Sequence, residues 1–205
     1  MTKTRLLFAR HGRSQAAEEG RVQGQGLAIP LTNEGKEQAR ILAKNLRQMS
    51  FDKIFTSTAL RAIETAQSIR EAHGKVPYLE IQELNERSKG IAEGMQNEEF
   101  SQKYPEIIQQ WEEEIDARPV GGENFEDVHN RVIPVLETHV KEYPGSVLLY
   151  VIHGNVIRVL LGHMLHVPFG KRARIKQDYC ALNSVVFDHE RNRWEIEYVN
   201  RVFHS

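Results

Sequence analysis

Short apolar runs alternate along the chain with longer stretches in which apolar residues recur every three or four positions. These are the periodicities of strand and helix. Residues 4–9 and 53–56 predict short strands, and 78–81 a third. Residues 146–152 (SVLLYVI) are nearly all apolar, as expected of a central strand covered on both faces. Residues 34–49 place Ala39, Leu42, Ala43, Leu46 and Met49 at helical spacing behind Thr32, a good N-cap. Ser57 or Thr58 is expected to cap a helix running to about Ala72, with Leu60, Ile63 and Ile69 on its buried side and His73-Gly74 at its end. Two shorter helical patterns lie at 96–103 and 105–115. A long amphipathic helix is expected over 123–142, after the Gly121-Gly122 break, with Pro134 kinking it. Residues 153–165 predict another helix, and 181–187 and 193–199 two strands joined by a turn at 189–192.

Strand–helix alternation with apolar strands predicts an α/β fold: a three-layer sandwich with a mostly parallel central sheet and helices on both faces. The final pair is expected to form a hairpin, so one strand runs antiparallel. No repeat, low-complexity stretch or linker interrupts the 205 residues, and the chain is read as a single domain. The irregular segment 83–122 is expected to be an insertion over the sheet's edge, above the active site.

Composition narrows the function classes. With 27 Lys+Arg against 28 Asp+Glu, the net charge is -1, without the basic excess of a nucleic-acid binder. A single Cys, Cys180, permits no internal disulfide and supports no zinc ribbon. The apolar run at 6–9 is cut by Arg10 and His11, so no signal peptide is expected, and no segment has the length of a membrane span. The expected compartment is the cytoplasm.

The unusual residues fall at three predicted strand ends. The first strand ends in Arg10-His11-Gly12. The second ends at Ser57 and runs into a helix whose first turn holds Arg61. The central apolar strand ends in His153-Gly154-Asn155 and opens a helix. In parallel α/β sheets, ligands bind outside the carboxyl ends of the strands, where helix N-termini favour anions. An Arg in a helix's first turn is disfavoured by the dipole unless an anion compensates. Two Arg, two His and helix N-termini at one sheet edge therefore predict a pocket for a dianionic group such as phosphate.

These residues belong to a longer ordered set: Arg10-His11-Gly12, Leu31-Thr32-x-x-Gly35-x-x-Gln38-Ala39, Ser57-x-x-Leu60-Arg61-Ala62-x-x-Thr65-Ala66, Leu84-Asn85-Glu86-Arg87-x-x-Gly90-x-x-x-Gly94, Gly121-Gly122-Glu123 and His153-Gly154. The set resembles the histidine phosphatase superfamily, the phosphoglycerate mutase-like family, in its broad-specificity phosphatase branch. The resemblance implies a nucleophilic His11 that becomes a phosphohistidine, with Arg10, Arg61 and His153 gripping the phosphoryl oxygens and Glu86 as general acid. It places Gln23 near the phosphate, and Gly12, Gly154 and Asn155 around it. Arg87 matches a mutase residue that helps to bind a substrate carboxylate.

The residue types suit phosphoryl transfer, in which charge spreads over the equatorial oxygens and positive clamps dominate. The attacking imidazole must be neutral, a state that nearby guanidinium groups favour. A carboxyl can protonate the leaving oxygen if burial or the phosphate raises its pKa, and can then activate water. No metal and no cofactor are expected. Three positions depart from the family pattern: Arg13 follows Arg-His-Gly, Ala17 replaces an asparagine, and Ala28 replaces an acidic residue in a loop one residue longer.

Several smaller signals have competing readings. Glu83 and Glu93 are possible rival acids. Lys89 stands at an aromatic position of the mutases, which weakens a mutase reading and suits a second anionic group on the substrate. The basic run at 171–176 is either a solvated loop or a flap over a second anion. His163 and His166 lie at i, i+3 with no third metal ligand nearby, so no metal site is expected. Gly24-x-Gly26 lacks the third glycine of a dinucleotide loop, no protease pattern surrounds Cys180, and Trp111 and Trp194 are read as packing residues. The expected activity is hydrolysis of a small phosphorylated metabolite, with no nucleic-acid or membrane partner and a possible homodimer. The alternatives are a cofactor-dependent phosphoglycerate mutase and a non-catalytic phospholigand-binding domain.

Overall fold

A computed structural model describes residues 2–204. Six strands form one sheet: β1 (Lys3–Arg10), β2 (Lys53–Thr56), β3 (Tyr78–Glu80), β4 (Val147–Ile152), β5 (Leu182–Asp188) and β6 (Arg193–Arg201). Their spatial order is β3-β2-β4-β1-β5-β6. Strands β3, β2, β4 and β1 pair in parallel, whereas β5 runs antiparallel to both β1 and β6. The sheet is thus mostly parallel, with a single reversed strand inside the C-terminal hairpin.

The period-two alternation along each strand divides the core into two layers. Leu6, Phe8, Leu148, Tyr150 and Ile152 face α6 (Phe125–Glu142) and α7 (Gly154–Met164). Leu7, Ala9, Leu149 and Val151 face the other way, toward α2 (Asn33–Leu46) and α3 (Leu60–His73). Helices therefore cover both faces of the sheet, giving three layers. Each fully buried Leu or Phe contributes roughly 1.5–3 kcal/mol relative to exposure.

Local details differ from the sequence reading in instructive ways. The N-cap of α3 is Ala59, with no side-chain cap, instead of Ser57 or Thr58. Both hydroxyls are engaged elsewhere: Ser57 with His153 and Thr58 with Asn85. The buried side of α3 is Arg61, Ala62, Thr65, Ala66 and Ile69, while Leu60 and Ile63 are only partly buried. Met49 lies beyond the end of α2, packed against its layer of the core. Helix α6 starts at Phe125, two residues later than the glycine pair suggests, because Asn124 and Asp127 form a reciprocal capping box. It continues past Pro134, which is exposed.

Short helices, α1 (Gln15–Glu18), α4 (Asn97–Lys103) and α5 (Pro105–Glu112), lie in the connecting segments. None of the helices among the described residues is long and apolar enough to cross a membrane.

Candidate active site

The carboxyl ends of β1, β2 and β4 open into a cavity of about 420 Å³. Arg10, His11, Gln23, Arg61, Glu86 and Asn155 line it, together with Ala17, Lys89, Trp111 and Tyr179. Residues distant in sequence meet here because parallel pairing of β1 with β4 sets Arg10 beside Ile152, immediately before His153.

His11 is almost wholly buried. Its Nδ1 lies 2.7 Å from the Gly12 carbonyl oxygen, which can only accept, so Nδ1 carries the proton and Nε2 the free lone pair. Burial, then Arg61 and Arg10, hold its pKa well below 6.5, so the ring is neutral near pH 7. The His153 ring stands edge-on to it, 5.1 Å between centroids. His153 is also buried, and burial followed by Arg61, His11 and Arg10 lowers its pKa well below 6.5. Its Nε2 is 2.7 Å from Ser57 Oγ, whereas its buried Nδ1 has no partner.

The two guanidinium groups are fixed by backbone carbonyls. Arg61 donates to Gly26 O at 2.7 Å and Gly24 O at 3.0 Å. Arg10 donates to Gln177 O at 2.6 Å and lies 4.0 Å from the centre of the Tyr179 ring. The Nε of each is buried without a partner. Buried polar atoms are normally satisfied, so three orphaned nitrogens beside one another mark a place for an anion. Gly154 permits this packing: a Cβ there would meet Arg10 Nε at 3.3 Å.

The motif residues around these side chains have structural tasks. Thr32 caps α2 through Gly35 N, Gln38 accepts from Arg13 N, and a Cβ on Gly35 would overlap the Arg13 carbonyl. Thr65 accepts from Gly12 N at 3.1 Å, so that N–H is already used within the protein. Asn85 accepts from Thr58 N and Oγ1, each at 3.0 Å, tying the loop that carries Glu86 to the end of β2. Arg131 adds a second tie, donating to Glu86 O at 3.1 Å and forming an ion pair with Glu123.

Glu86 is the acid that reaches the cavity. It accepts from Arg87 N at 2.7 Å and Asn155 N at 3.3 Å. Glu83 is exposed, and Glu93 staples its loop through Gln25 N, Ser88 Oγ and Lys89 N. Gln23 lines the cavity and accepts from Ser14 Oγ at 2.7 Å.

Arg87 is not among the cavity's lining residues. It lies buried between Trp111 and Phe125, 5.1 and 4.6 Å from their ring centres. Trp111, expected only to pack, forms part of the cavity wall. Arg13 pairs with Glu34 at 3.2 Å outside the cavity, Ala28 is exposed, and Ala17 leaves open space in the wall. The basic run is largely solvent-exposed, as its first reading expected, and none of its residues lines the cavity. Arg172 is buried and donates to Val167 O and Val159 O, Arg174 pairs with Glu114, and Lys176 with Asp178. His163 meets His129 at 3.1 Å instead of His166.

Sequence patterns gave no sign of the amide network behind Arg10. Fully buried Asn183 donates to Phe8 O at 3.0 Å and Gln177 Oε1 at 2.9 Å. Its Oδ1 accepts from Gln177 Nε2 and from Asn200 N. Asn200 is left-handed, φ 55°, at an irregularity in the β5–β6 ladder. Such bulges commonly re-aim groups beside active sites. Here the bulge anchors the 177–179 turn that holds Arg10.

Comparison with known proteins agrees with this geometry. The family model of the histidine phosphatase superfamily (branch 1) matches residues 6–201. The 2,3-bisphosphoglycerate-dependent phosphoglycerate mutase 2 of Gloeobacter violaceus is 32% identical over 196 residues, covering 90% of this chain and 85% of that protein. Phosphoserine phosphatase 1 of Hydrogenobacter thermophilus is 31% identical over 189 residues, covering 92% and 89%. The solved structure of mycobacterial glucosyl-3-phosphoglycerate phosphatase, complexed with VO3, superposes with a TM-score of 0.86 at 25% identity, covering 96% of this chain and 98% of its own.

Proposed function

Because this chain belongs to the histidine phosphatase superfamily (branch 1), we propose that it hydrolyses a small phosphomonoester through a phosphohistidine at His11. The observation that carries the reading is the Nδ1–H to Gly12 bond, which leaves Nε2 of a neutral ring facing a cavity walled by Arg10 and Arg61.

The steps follow from the groups present. The phosphoryl oxygens take the free Nε–H groups of Arg10 and Arg61 and the Nδ1–H of His153. Nε2 of His11 attacks phosphorus as the P–O bond to the leaving group breaks. Glu86 delivers a proton to the departing oxygen. The resulting carboxylate takes a proton from water as that water attacks the phosphohistidine, releasing phosphate and restoring His11. Preorganised positive donors stabilise the spread charge of the transition state. Every role falls to a side chain, so the scheme calls for no metal ion.

Similarity to a named mutase favours a second reading, in which the phosphohistidine passes its phosphoryl group to a second alcohol instead of water. Glu98, Glu99, Glu106 and Glu112 on α4 and α5 are exposed and none of them lines the cavity, so the acidity of this segment does not decide between the two readings. The deciding assay supplies 3-phosphoglycerate with 2,3-bisphosphoglycerate in one arm and a panel of phosphomonoesters in the other. Release of inorganic phosphate, with an acid-labile adduct trapped on His11 and lost in His11→Ala, supports hydrolysis. Isomerisation without net phosphate release supports the mutase. Phosphate binding with neither reaction leaves a non-catalytic binding domain.

A further inference from the structure

Arg10 and Arg61 face the same cavity, yet the fold holds them differently. Arg61 is pinned by two carbonyls, Gly26 O and Gly24 O. Arg10 donates to one, Gln177 O at 2.6 Å. A planar guanidinium bound at one N–H can still swing about that bond. The side chain that stops the swing is Tyr179, whose ring centre lies 4.0 Å from Arg10 Cζ. Gly154 closes another side, so near that a Cβ there would meet Arg10 Nε at 3.3 Å and Cζ at 3.5 Å.

The backbone delivers that ring to its place. Cys180, next in the chain, is left-handed at φ 52°, a conformation that non-glycine residues seldom adopt. Its N–H donates to His11 O at 3.4 Å, Ala181 N–H to Asp178 O at 3.2 Å, and Arg10 N–H to Ala181 O at 3.1 Å. The turn is thereby laced to the end of β1, and the Tyr179 ring comes to lie 5.9 Å from the His11 ring as well. Tyr179 is half-buried and borders both the catalytic cavity and a second cleft lined by Ile41, Leu42 and Phe203. A ring in that position adds little to the core.

An aromatic holder has an electrostatic advantage over an acidic one. A carboxylate would fix Arg10 more firmly, but it would occupy N–H donors and cancel the charge that an incoming phosphoryl group needs. A ring face attracts the cation through its quadrupole and uses no N–H. Asp178, the acid of the same turn, is engaged by Lys176 at 2.9 Å and Asn200 at 2.8 Å. The buried Arg10 Nε keeps its donor free.

We propose that Tyr179 is a positioning residue, whose ring clamps the Arg10 guanidinium beside His11 without neutralising it. The inference rests on the phosphomonoesterase reading of the cavity. It assigns the task to the ring and not to the hydroxyl, and it makes the contribution of Tyr179 depend on Arg10.

Calorimetric titration with orthophosphate compares the wild type, Tyr179→Phe, Tyr179→Leu, Arg10→Met and the Tyr179→Leu, Arg10→Met double variant. Tyr179→Leu should weaken phosphate binding by ~10-fold, the size of a desolvated cation–ring contact. Tyr179→Phe, which keeps the ring and loses the hydroxyl, should stay within about 3-fold of the wild type. In the Arg10→Met background, Tyr179→Leu should cost less than about 3-fold, since the residue it acts through is already gone. A Tyr179→Phe loss equal to that of Tyr179→Leu would overturn the proposal. So would unchanged binding in Tyr179→Leu, or losses that multiply in the double variant. Thermal unfolding verifies that each variant is folded, and Tyr179→Met replaces a Tyr179→Leu that does not fold. Orthophosphate binding needs no turnover, so the two readings fail separately. If the pattern holds and no monoester is hydrolysed, the hydrolytic reading fails and the clamp stands. If phosphate is released but the losses multiply, the clamp fails and hydrolysis stands. A wild type that binds no orthophosphate would overturn both.

Discussion

The Ser57 hydroxyl stands 2.7 Å from Nε2 of His153 and also receives Ala59 N–H at 3.4 Å. The proposed reaction needs Ser57 to donate its proton to Nε2, which keeps the imidazole proton on Nδ1. Nδ1 is the ring atom with no protein partner. Ser57→Ala should free the ring to take the other tautomer and lower kcat/KM by ~10-fold, while Ser57→Thr retains most activity. Steady-state kinetics with p-nitrophenyl phosphate checks this, and an unchanged Ser57→Ala enzyme would refute it.

The His11 titration carries a clear sign. A histidine whose pKa is depressed stays neutral as pH falls through 6.5 and charges only well below it. Ring nitrogen NMR of the free protein should therefore show His11 unprotonated at pH 6.5. Arg10→Met should move the titration upward but not back to 6.5, because burial is the larger cause.

Glu86→Gln removes the proposed proton donor and leaves the cradle. Leaving-group departure should slow by ~100-fold or more for an alkyl phosphate, and far less for p-nitrophenyl phosphate, whose anion needs little help. Equal losses on the two substrates would exclude Glu86 as the acid.

Asn183 touches neither substrate nor nucleophile, so it acts as a positioning residue. Asn183→Ala strands polar atoms of Gln177, Asn200 and Phe8 and should cost about 2–3 kcal/mol of stability. A packing role alone would stop there. If Asn183 aims Arg10, the folded variant will also show weaker inhibition by orthophosphate and a His11 titration shifted upward, as in Arg10→Met.

His139 supplies a separate test of stability against pH. Its ring stacks on Phe55 at 4.0 Å and bonds Tyr150 OH at 2.9 Å, and burial, then Lys53, lowers its pKa to about 4. The unfolded imidazole binds a proton near 6.5, so stability is complete above that pH and declines as pH falls toward 4. The loss from this residue at pH ~5 should be about 2 kcal/mol relative to pH ~8, read by urea unfolding. His139→Gln should show a shallower decline over the same interval.

Periodicity made the strands and long helices legible because each has one apolar face or two. Arg10, His11, Arg61 and Glu86, which line the cavity, and His153, whose ring abuts His11, were legible because they sit at strand ends or in compact motifs. Other features depend on partners remote in the chain. The cap of α3 could not be read locally, since Ser57 and Thr58 are claimed by His153 and Asn85. Trp111, on α5, meets Lys89 through the packing of a segment whose short helices are periodic but whose arrangement is not written in that periodicity. The role of Asn183 rests on β5 lying beside β1, and a lone Asn in an apolar strand carries no such message.

The bond between Asn183 and Phe8 joins residues 175 positions apart. Closing so long a loop is entropically slow, and it comes after local helices and turns form. His11 is therefore translated early, but its guanidinium companion is seated only when the β5–β6 ribbon docks. During refolding, secondary structure should return first and phosphate release last, in step with that docking. A half-folded chain would present His11 without its cradle, inert toward the phosphoesters around it until the sheet is complete.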